Sequence, residues 1–152
     1  MEEWINEVHD LHLLVMEADI ARSFAPEYVN GKGQLSDILC KMIERGQMVT
    51  AVDYNNAVAR MSEYYHAFDK LFEEHDAIIT PAVPGEAPVG LESTGSPMFC
   101  TIWTYFGMPA ITLPLLQGDN GLPLGVQLVG PRADDARLLR TARWLVDTVA
   151  GS

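Results

Sequence analysis

Two histidines near the start of the chain are spaced as metal ligands could be. His9 and His12 stand three residues apart, which would place both on one face of a helix, and Glu7, Asp10 and Glu17 are close by. A metal site also needs a third and a fourth ligand of defined geometry, and the sequence indicates no such set. Because carboxylates are plentiful throughout this acidic chain, surface or capping roles are favoured for both histidines.

A second cluster contains side chains that can act as a general acid or a general base. The run from Glu73 to Asp76 contains two glutamates, a histidine and an aspartate, but it falls between a predicted helix and a predicted strand, which favours a solvated turn. Ser96 could be paired with His75 as a nucleophile with its base. Its neighbours Gly95 and Pro97 do not form a nucleophile elbow, however, and Ser96 suits a helix cap better. We therefore predict no catalytic residue, metal ligand or cofactor in this chain.

The length, composition and charge of the chain restrict the classes of protein to which it can belong. The chain has 152 residues, 48% hydrophobic and 20% charged, which fits a globular domain. Its formal charge of −11 argues against binding to nucleic acid or to an anionic membrane. No apolar run approaches the roughly 18 residues of a membrane span, and the N-terminus has no secretory pattern. Two cysteines are too few for a disulfide framework, so we predict a cytoplasmic protein.

The pattern of the first half of the chain predicts helices. An amphipathic helix should run to about Ser23, and because it lacks a good N-cap it resembles a helix that continues from upstream sequence. The run from Pro26 to Gly33 should interrupt it, with a turn at Asn30-Gly31. A short helix follows, with Ser36 as its N-cap and Gly46 at its end. The apolar stripe of the first helix is Trp4, Val8, Leu11, Val15 and Ala18.

A long helix begins at Thr50, where Thr50-x-x-Asp53 resembles a capping box. Its aromatic stripe is expected to be core, and consists of Tyr54, Val58, Met61, Tyr65, Phe68 and Phe72. Beyond residue 75 the pattern changes to short strands. The expected elements are a strand at 77–80, an irregular loop to Pro97, a helix from about 97 to 106 with Ser96 as its cap, strands at 110–115 and 125–129, and a helix opening at Asp134-Asp135. The helix from 97 to 106 has almost no polar face, so it should be buried on all sides in the intact protein.

Five stretches in the second half carry a family resemblance through their order and spacing. They are Asp76 to Pro81, Ala87-Pro88, Trp103-Thr104, Gly107 to Pro114 and Gly121 to Gly130. Together they resemble the C-terminal end of the amidase signature family of C–N hydrolases. The resemblance implies an α/β fold, the C-terminal portion of the amidase signature fold, with helices and the edge of a small mixed β-sheet. Residues 1–152 are expected to form a single C-terminal domain or fragment, helical to about 75 and built of strands and helices from 76 to 152.

Amide hydrolysis in this family uses a Ser–cis-Ser–Lys triad in a glycine- and serine-rich region. The chain contains no such region and no adjacent serines, and none of Lys32, Lys41 and Lys70 can be assigned by motif. We therefore expect this chain alone to be inactive. Its expected partners are the missing N-terminal catalytic portion, or a partner subunit that carries it, and a small amide substrate in the complete enzyme. The alternatives are a small-ligand binding module and a non-catalytic subunit.

Three residues are carried over from the resemblance as candidates for the substrate-pocket wall: Cys100, Trp103 and Thr104. A core role is an alternative for all three, favoured at least equally for Cys100 and Trp103 and evenly balanced for Thr104. Family members that hydrolyse glutamine to charge transfer RNA usually have Asp where this chain has Pro97, Thr in place of Cys100 and Asn in place of Thr104. The Trp103-Thr104 version is similar instead to general amidases of small or apolar amides.

The predicted association state follows from the apolar helix and from strands that belong to a larger sheet. Such surfaces expose hydrophobic side chains and unpaired backbone edges. We therefore predict a homodimer or larger oligomer, with Trp103, Phe106 or the strand edges at or near the interface.

Overall fold

The computed structural model describes residues 2–151, without the side chains of residues 2–5 and 150, so the predicted place of Trp4 lies outside the described part. Two compact units are present, residues 1–63 and 64–152. The helices are α1 Glu2–Ser23, α2 Ala25–Gly31, a 3-10 turn Lys32–Gln34, α3 Asp37–Gly46, α4 Ala51–Glu74, α5 Met98–Tyr105 and α6 Asp135–Ala150. The strands are β1 Ile78–Pro81, β2 Ala110–Gln117 and β3 Pro123–Val129. No helix within 2–151 combines the length and the apolar character needed to cross a membrane.

In the first unit α1 packs against α3. Val8 of α1 and Ile43 of α3 are completely buried. The predicted N-cap is confirmed, because Ser36 Oγ accepts a hydrogen bond from the Leu39 amide at 3.3 Å. At the other end of α3, Gly46 lies so close to α1 that a Cβ atom there would be 1.9 Å from the Glu17 carbonyl oxygen. Gly46 therefore permits the close approach of the two helices as well as ending α3.

The predicted break between Pro26 and Gly33 is wrong for most of its length, since α2 occupies 25–31. Pro26 lies in the first turn of α2, where its missing N–H costs no helical hydrogen bond. Asn30, which the sequence predicts in a turn, donates its side-chain amide to the Pro26 carbonyl at 2.8 Å. That local contact gives the Asn30 side chain a partner inside the helix.

The start of α4 follows the predicted capping pattern. Thr50 Oγ1 accepts from the Asp53 amide at 3.1 Å, and its hydroxyl donates to the Asp53 carboxylate at 2.6 Å. Farther along α4, within the second unit, Phe72 is buried and Tyr65 and Phe68 are half-buried. The aromatic stripe is therefore a core face in this part of the helix.

The second unit is built on a three-stranded sheet in the order β1-β3-β2. The α/β class is confirmed, and the sheet of the described residues is antiparallel rather than mixed. Residues Thr80, Gln127 and Thr112 lie opposite one another across it, as do Ile79, Leu128 and Ile111. Neighbouring residues of a strand face opposite sides, so these two rows belong to different faces.

The helix α6 covers the face that contains Leu128. Leu128 and Leu113 form an apolar cluster with Leu138 and Ala142 of α6. Asp134 caps α6 by accepting from the Arg137 amide at 3.1 Å. The Arg137 guanidinium donates to the carbonyls of Phe72 at 3.0 Å and His75 at 3.1 Å, which lie at the end of α4 and just beyond it. A cation is favourable at that negative end of a helix.

Candidate functional site

The helix α5 begins at Met98, one residue later than predicted, and the predicted N-cap Ser96 is wrong by one residue. Pro97 takes the N-cap position, and Ser96 Oγ accepts from the Met98 amide at 3.4 Å. Thr101 Oγ1 donates to the Pro97 carbonyl at 3.1 Å. Ser96 therefore lies just before the cap rather than at it, and its side chain contacts the first residue of α5.

One face of α5 and the residue that follows it enter an aromatic core. Phe106 is fully buried, and its ring centroid lies 5.2 Å from that of Tyr64 and 5.2 Å from that of Phe68. Trp103 is 8% exposed and packs edge-on against Phe68 with centroids 5.9 Å apart. This corrects the expectation that Trp103 or Phe106 contacts a second copy of the chain, because α4 already covers both side chains. The association itself stays a prediction, with the strand edges as its expected site.

The opposite face of α5 is exposed and contains the other two candidates. Cys100 and Thr104 are one turn apart, and Thr104 Oγ1 donates to the Cys100 carbonyl at 2.9 Å. The Cys100 thiol lies 3.7 Å from the Ala82 carbonyl oxygen and 3.6 Å from Oε1 of Gln127. The three predicted residues therefore do not lie together. Cys100 and Thr104 share an exposed face of α5 that a ligand could reach, whereas Trp103 is buried in the core on the other side. We call the face formed by Cys100 and Thr104 the wall face.

Gln127 lies beneath the wall face and is not among the residues that the sequence predicts for the site. It is 3% exposed, and its Nε2 donates to Thr80 Oγ1 and to the Phe99 carbonyl, each at 3.0 Å. A long polar side chain within an otherwise apolar strand, residues 124 to 129, is the signal that could have drawn attention to it.

Glu86 fixes the loop between β1 and α5 and is likewise absent from the predicted site. Its carboxylate accepts from the Asn120 amide at 2.9 Å, the Asn120 side-chain amide at 2.6 Å and the Leu122 amide at 3.1 Å. These hydrogen bonds, with that of the Asn120 side chain the largest cause, lower the pKa of Glu86. They attach the loop to the turn between β2 and β3.

An open cleft of 650 Å³ lies on the other side of the sheet, between β1 and α6. Ile79, Leu128 and Trp144 line it, whereas the residues beneath the wall face belong to the alternate row of the strands. Arg137 also lines it, but its guanidinium donates to Asp76 and to two backbone carbonyls. The wall face remains the candidate that the sequence predicts, because Cys100 and Thr104 are exposed residues of a helix that packs on the aromatic core.

The acid–base cluster borders that cleft, since Glu74, His75 and Asp76 are among its lining residues, and the Asp76 carboxylate is paired with Arg137. The side chains of Glu73, Glu74, His75 and Asp76 are exposed, but Glu73 and Glu74 belong to the last turn of α4, so the predicted turn is confined to His75 and Asp76. Among the described residues, no group of three or more His, Cys, Asp and Glu side chains could bind a metal ion. His12 is half-buried on α1, and its burial, followed by repulsion from His9, lowers its pKa below the ordinary 6.5.

The lowered pKa of His12 makes stability depend on pH. Below 6.5 the unfolded chain binds a proton at this position before the folded chain does, so stability should fall as the pH drops from 6.5 through the lowered folded value. We expect His12→Gln to reduce the loss of melting temperature between pH 7.5 and pH 5, and His9→Gln to reduce it less. Thermal unfolding followed by circular dichroism measures this, and an undiminished loss in His12→Gln would contradict the assignment.

Comparison with known proteins agrees with the fold and with the motifs. The Amidase family model matches residues 9–139. The chain belongs to the amidase family. It is 30% identical over 151 residues to a fatty acid amide hydrolase of Medicago truncatula, covering 91% of this chain and 25% of that protein. It is 33% identical over 84 residues to a glutamyl-tRNA(Gln) amidotransferase subunit of Halothermothrix orenii, covering 51% of this chain and 18% of that protein.

Solved structures show the same fold. An amidase crystal structure superposes with a TM-score of 0.81 at 23% identity, covering 95% of this chain and 36% of that one. A 6-aminohexanoate cyclic dimer hydrolase gives 0.67 at 22% identity, covering 88% of this chain and 33% of that one. The chain thus spans about a third of these structures and a quarter or less of the two curated relatives.

Proposed function

We propose that this chain is the C-terminal part of an amide hydrolase, in which it supplies a sheet edge and one wall of the substrate pocket. The observation that carries the proposal is the exposed wall face of Cys100 and Thr104, positioned by a buried aromatic core and by Gln127. Membership of the amidase family supports the type of reaction. The triad is expected outside this chain, either upstream in the same polypeptide or in a partner subunit.

The substrate class we favour is a small or apolar amide. The wall face offers a thiol, a hydroxyl and the methyl group of Thr104, and it has no charged side chain of its own. Free glutamine carries an ammonium and a carboxylate, which are recognised best by charged partners. The chain also differs from the glutamine-hydrolysing pattern at Pro97, Cys100 and Thr104, which likewise favours a small or apolar amide over glutamine.

A first experiment asks whether the chain is catalytic by itself. The purified 152-residue chain should not hydrolyse anilides or p-nitrophenyl esters, because a nucleophile with its base and oxyanion donors is required for such turnover. Turnover that copurifies with the folded chain and survives both Ser96→Ala and Cys100→Ala would contradict the proposal.

A second experiment tests the wall in the complete enzyme. The gene should be read upstream of Met1 for a Gly/Ser-rich region with a preceding lysine, and the product assayed with amides of increasing apolar size. Thr104→Val and Cys100→Ala should change KM or the preference between two amides by roughly tenfold, while kcat for the best substrate persists, since small pocket changes have effects of this size. Exposed Thr148→Val, on α6, is the matched control, and equal effects at all three positions would argue against a wall.

A further inference from the structure

A row of three polar residues crosses the sheet, and its central residue is buried. Thr80, Gln127 and Thr112 lie side by side on three neighbouring strands, and Gln127, at the centre of the row, contacts α5. A buried amide loses its hydration, so it is tolerated only where its donors and acceptor are paired. Here Nε2 uses both of its hydrogens, toward Thr80 Oγ1 and the Phe99 carbonyl, and Oε1 faces the Cys100 thiol.

These partners lie on different elements. Thr80 belongs to β1, Gln127 to β3, and Phe99 and Cys100 to the first turn of α5. Packing of Trp103 against Phe68 decides which side of α5 is buried, but hydrophobic burial itself is non-directional and tolerates small rotations of a short helix. Hydrogen bonds are directional, so those of Gln127 select one rotation of α5 relative to the sheet.

We propose that Gln127 is a positioning residue for the wall face. Through the Phe99 carbonyl and the Cys100 thiol it sets the direction in which Cys100 and Thr104 point, and thereby the outline that a substrate meets. This inference rests on the proposed function for its relevance to substrate, but the positioning itself can be measured without any hydrolysis.

The measurement uses Cys100 as a reporter in the 152-residue chain. Cys40→Ser removes the other cysteine, and the rate of alkylation by N-ethylmaleimide is followed at fixed pH under conditions where the chain is folded. Gln127→Met retains the side-chain length but has no amide, so the Phe99 carbonyl loses its donor and the Cys100 thiol loses its Oε1 acceptor, keeping only the Ala82 carbonyl. We expect alkylation of Cys100 to become about threefold to tenfold faster, the population change that corresponds to one net hydrogen bond.

Two further variants separate positioning from general loosening. Gln117→Met changes a glutamine near the end of β2 whose Nε2 donates to Gly121, and it should leave the rate unchanged. Thr80→Val removes one partner of Gln127 with little change of shape, and it should raise the rate by a smaller factor than Gln127→Met. If Gln127→Met does not fold, Thr80→Val still tests the proposal. An alkylation rate of Cys100 in folded Thr80→Val equal to that without the substitution would overturn it. An equal rise in Gln117→Met would overturn it as well.

The complete enzyme provides the substrate readout. There Gln127→Met should raise KM or alter the preference between two amides more than it lowers kcat, in parallel with Thr104→Val. A faster thiol reaction combined with unchanged KM and preference in an active enzyme would overturn the role in shaping the pocket. Absence of any amide hydrolysis by the unsubstituted complete enzyme would defeat the proposed function instead, while the thiol rate would still report on Gln127.

Discussion

Replacing Phe106 by alanine should lower the free energy of unfolding by about 4 kcal/mol, the usual cost of removing a buried aromatic ring. Phe106 is completely buried, and its ring contacts Tyr64, Phe68 and Tyr105 at centroid distances of 5.2 Å. The cavity would be surrounded by large rings on rigid helices, which cannot collapse into it easily. Chemical denaturation followed by tryptophan fluorescence measures the change, since Trp103 packs against the same cluster.

Two variants make this result specific to the aromatic core. Phe106→Leu retains most of the volume and should cost about 1.5 kcal/mol or less. Leu91→Ala, at a fully exposed loop position, should change the free energy of unfolding by no more than about 0.5 kcal/mol. If Phe106→Ala were no more costly than Leu91→Ala, the aromatic cluster would not be the core of the second unit.

Gly46→Ala should cost about 3 kcal/mol, at the upper end of the range for overpacking, because the obstacle is backbone. The new methyl group would lie 1.9 Å from the Glu17 carbonyl oxygen and 2.8 Å from the Ala21 Cβ atom, so α1 and α3 would have to separate. Separation would also disturb Glu17, whose buried carboxylate accepts from Arg45 Nε at 2.9 Å. A buried carboxylate that loses its partner adds to the cost.

The matched control is Gly33→Ala in the same unit. A Cβ atom at Gly33 meets nothing within 4 Å, so the substitution should be neutral or should stabilise by about 0.5 kcal/mol through the unfolded state. Thermal and urea unfolding of both variants would measure the difference. Equal stability of Gly46→Ala and Gly33→Ala would show that α1 and α3 do not approach as closely as described.

Under the proposed function, the residues that stabilise the fold and the residues of the substrate wall lie on opposite faces of α5. Trp103 faces the core, and Phe106, just beyond the end of α5, lies there too, whereas Cys100 and Thr104 are exposed residues. Substitutions at Cys100 or Thr104 should therefore alter substrate preference with little loss of stability. Substitutions at Trp103 should lower stability first, so Trp103 is a poor probe of substrate contact.

Much of the secondary structure could be predicted from the sequence because its signals are local. Ser36, Thr50 and Asp134 each satisfy amides within three residues of themselves, so the caps of α3, α4 and α6 follow from short patterns. The strands follow from short apolar runs between turn residues, and the family from motifs in a constant order. The same local reasoning failed at Asn30-Gly31, where a side-chain contact four residues back along the chain supports a helix.

The sequence by itself determined the family, the caps of α3, α4 and α6 and the approximate place of each strand, because those depend on residues close together along the chain. Only the tertiary structure decided which side of α5 is buried. That helix has almost no polar face, so its periodicity cannot orient it, and the contacts that do, from Phe68 and from Gln127, come from distant positions. The need for a glycine at position 46 is likewise visible only in the tertiary structure. The Glu17 carbonyl that a side chain there would meet belongs to α1, and it comes close only after α1 and α3 pack.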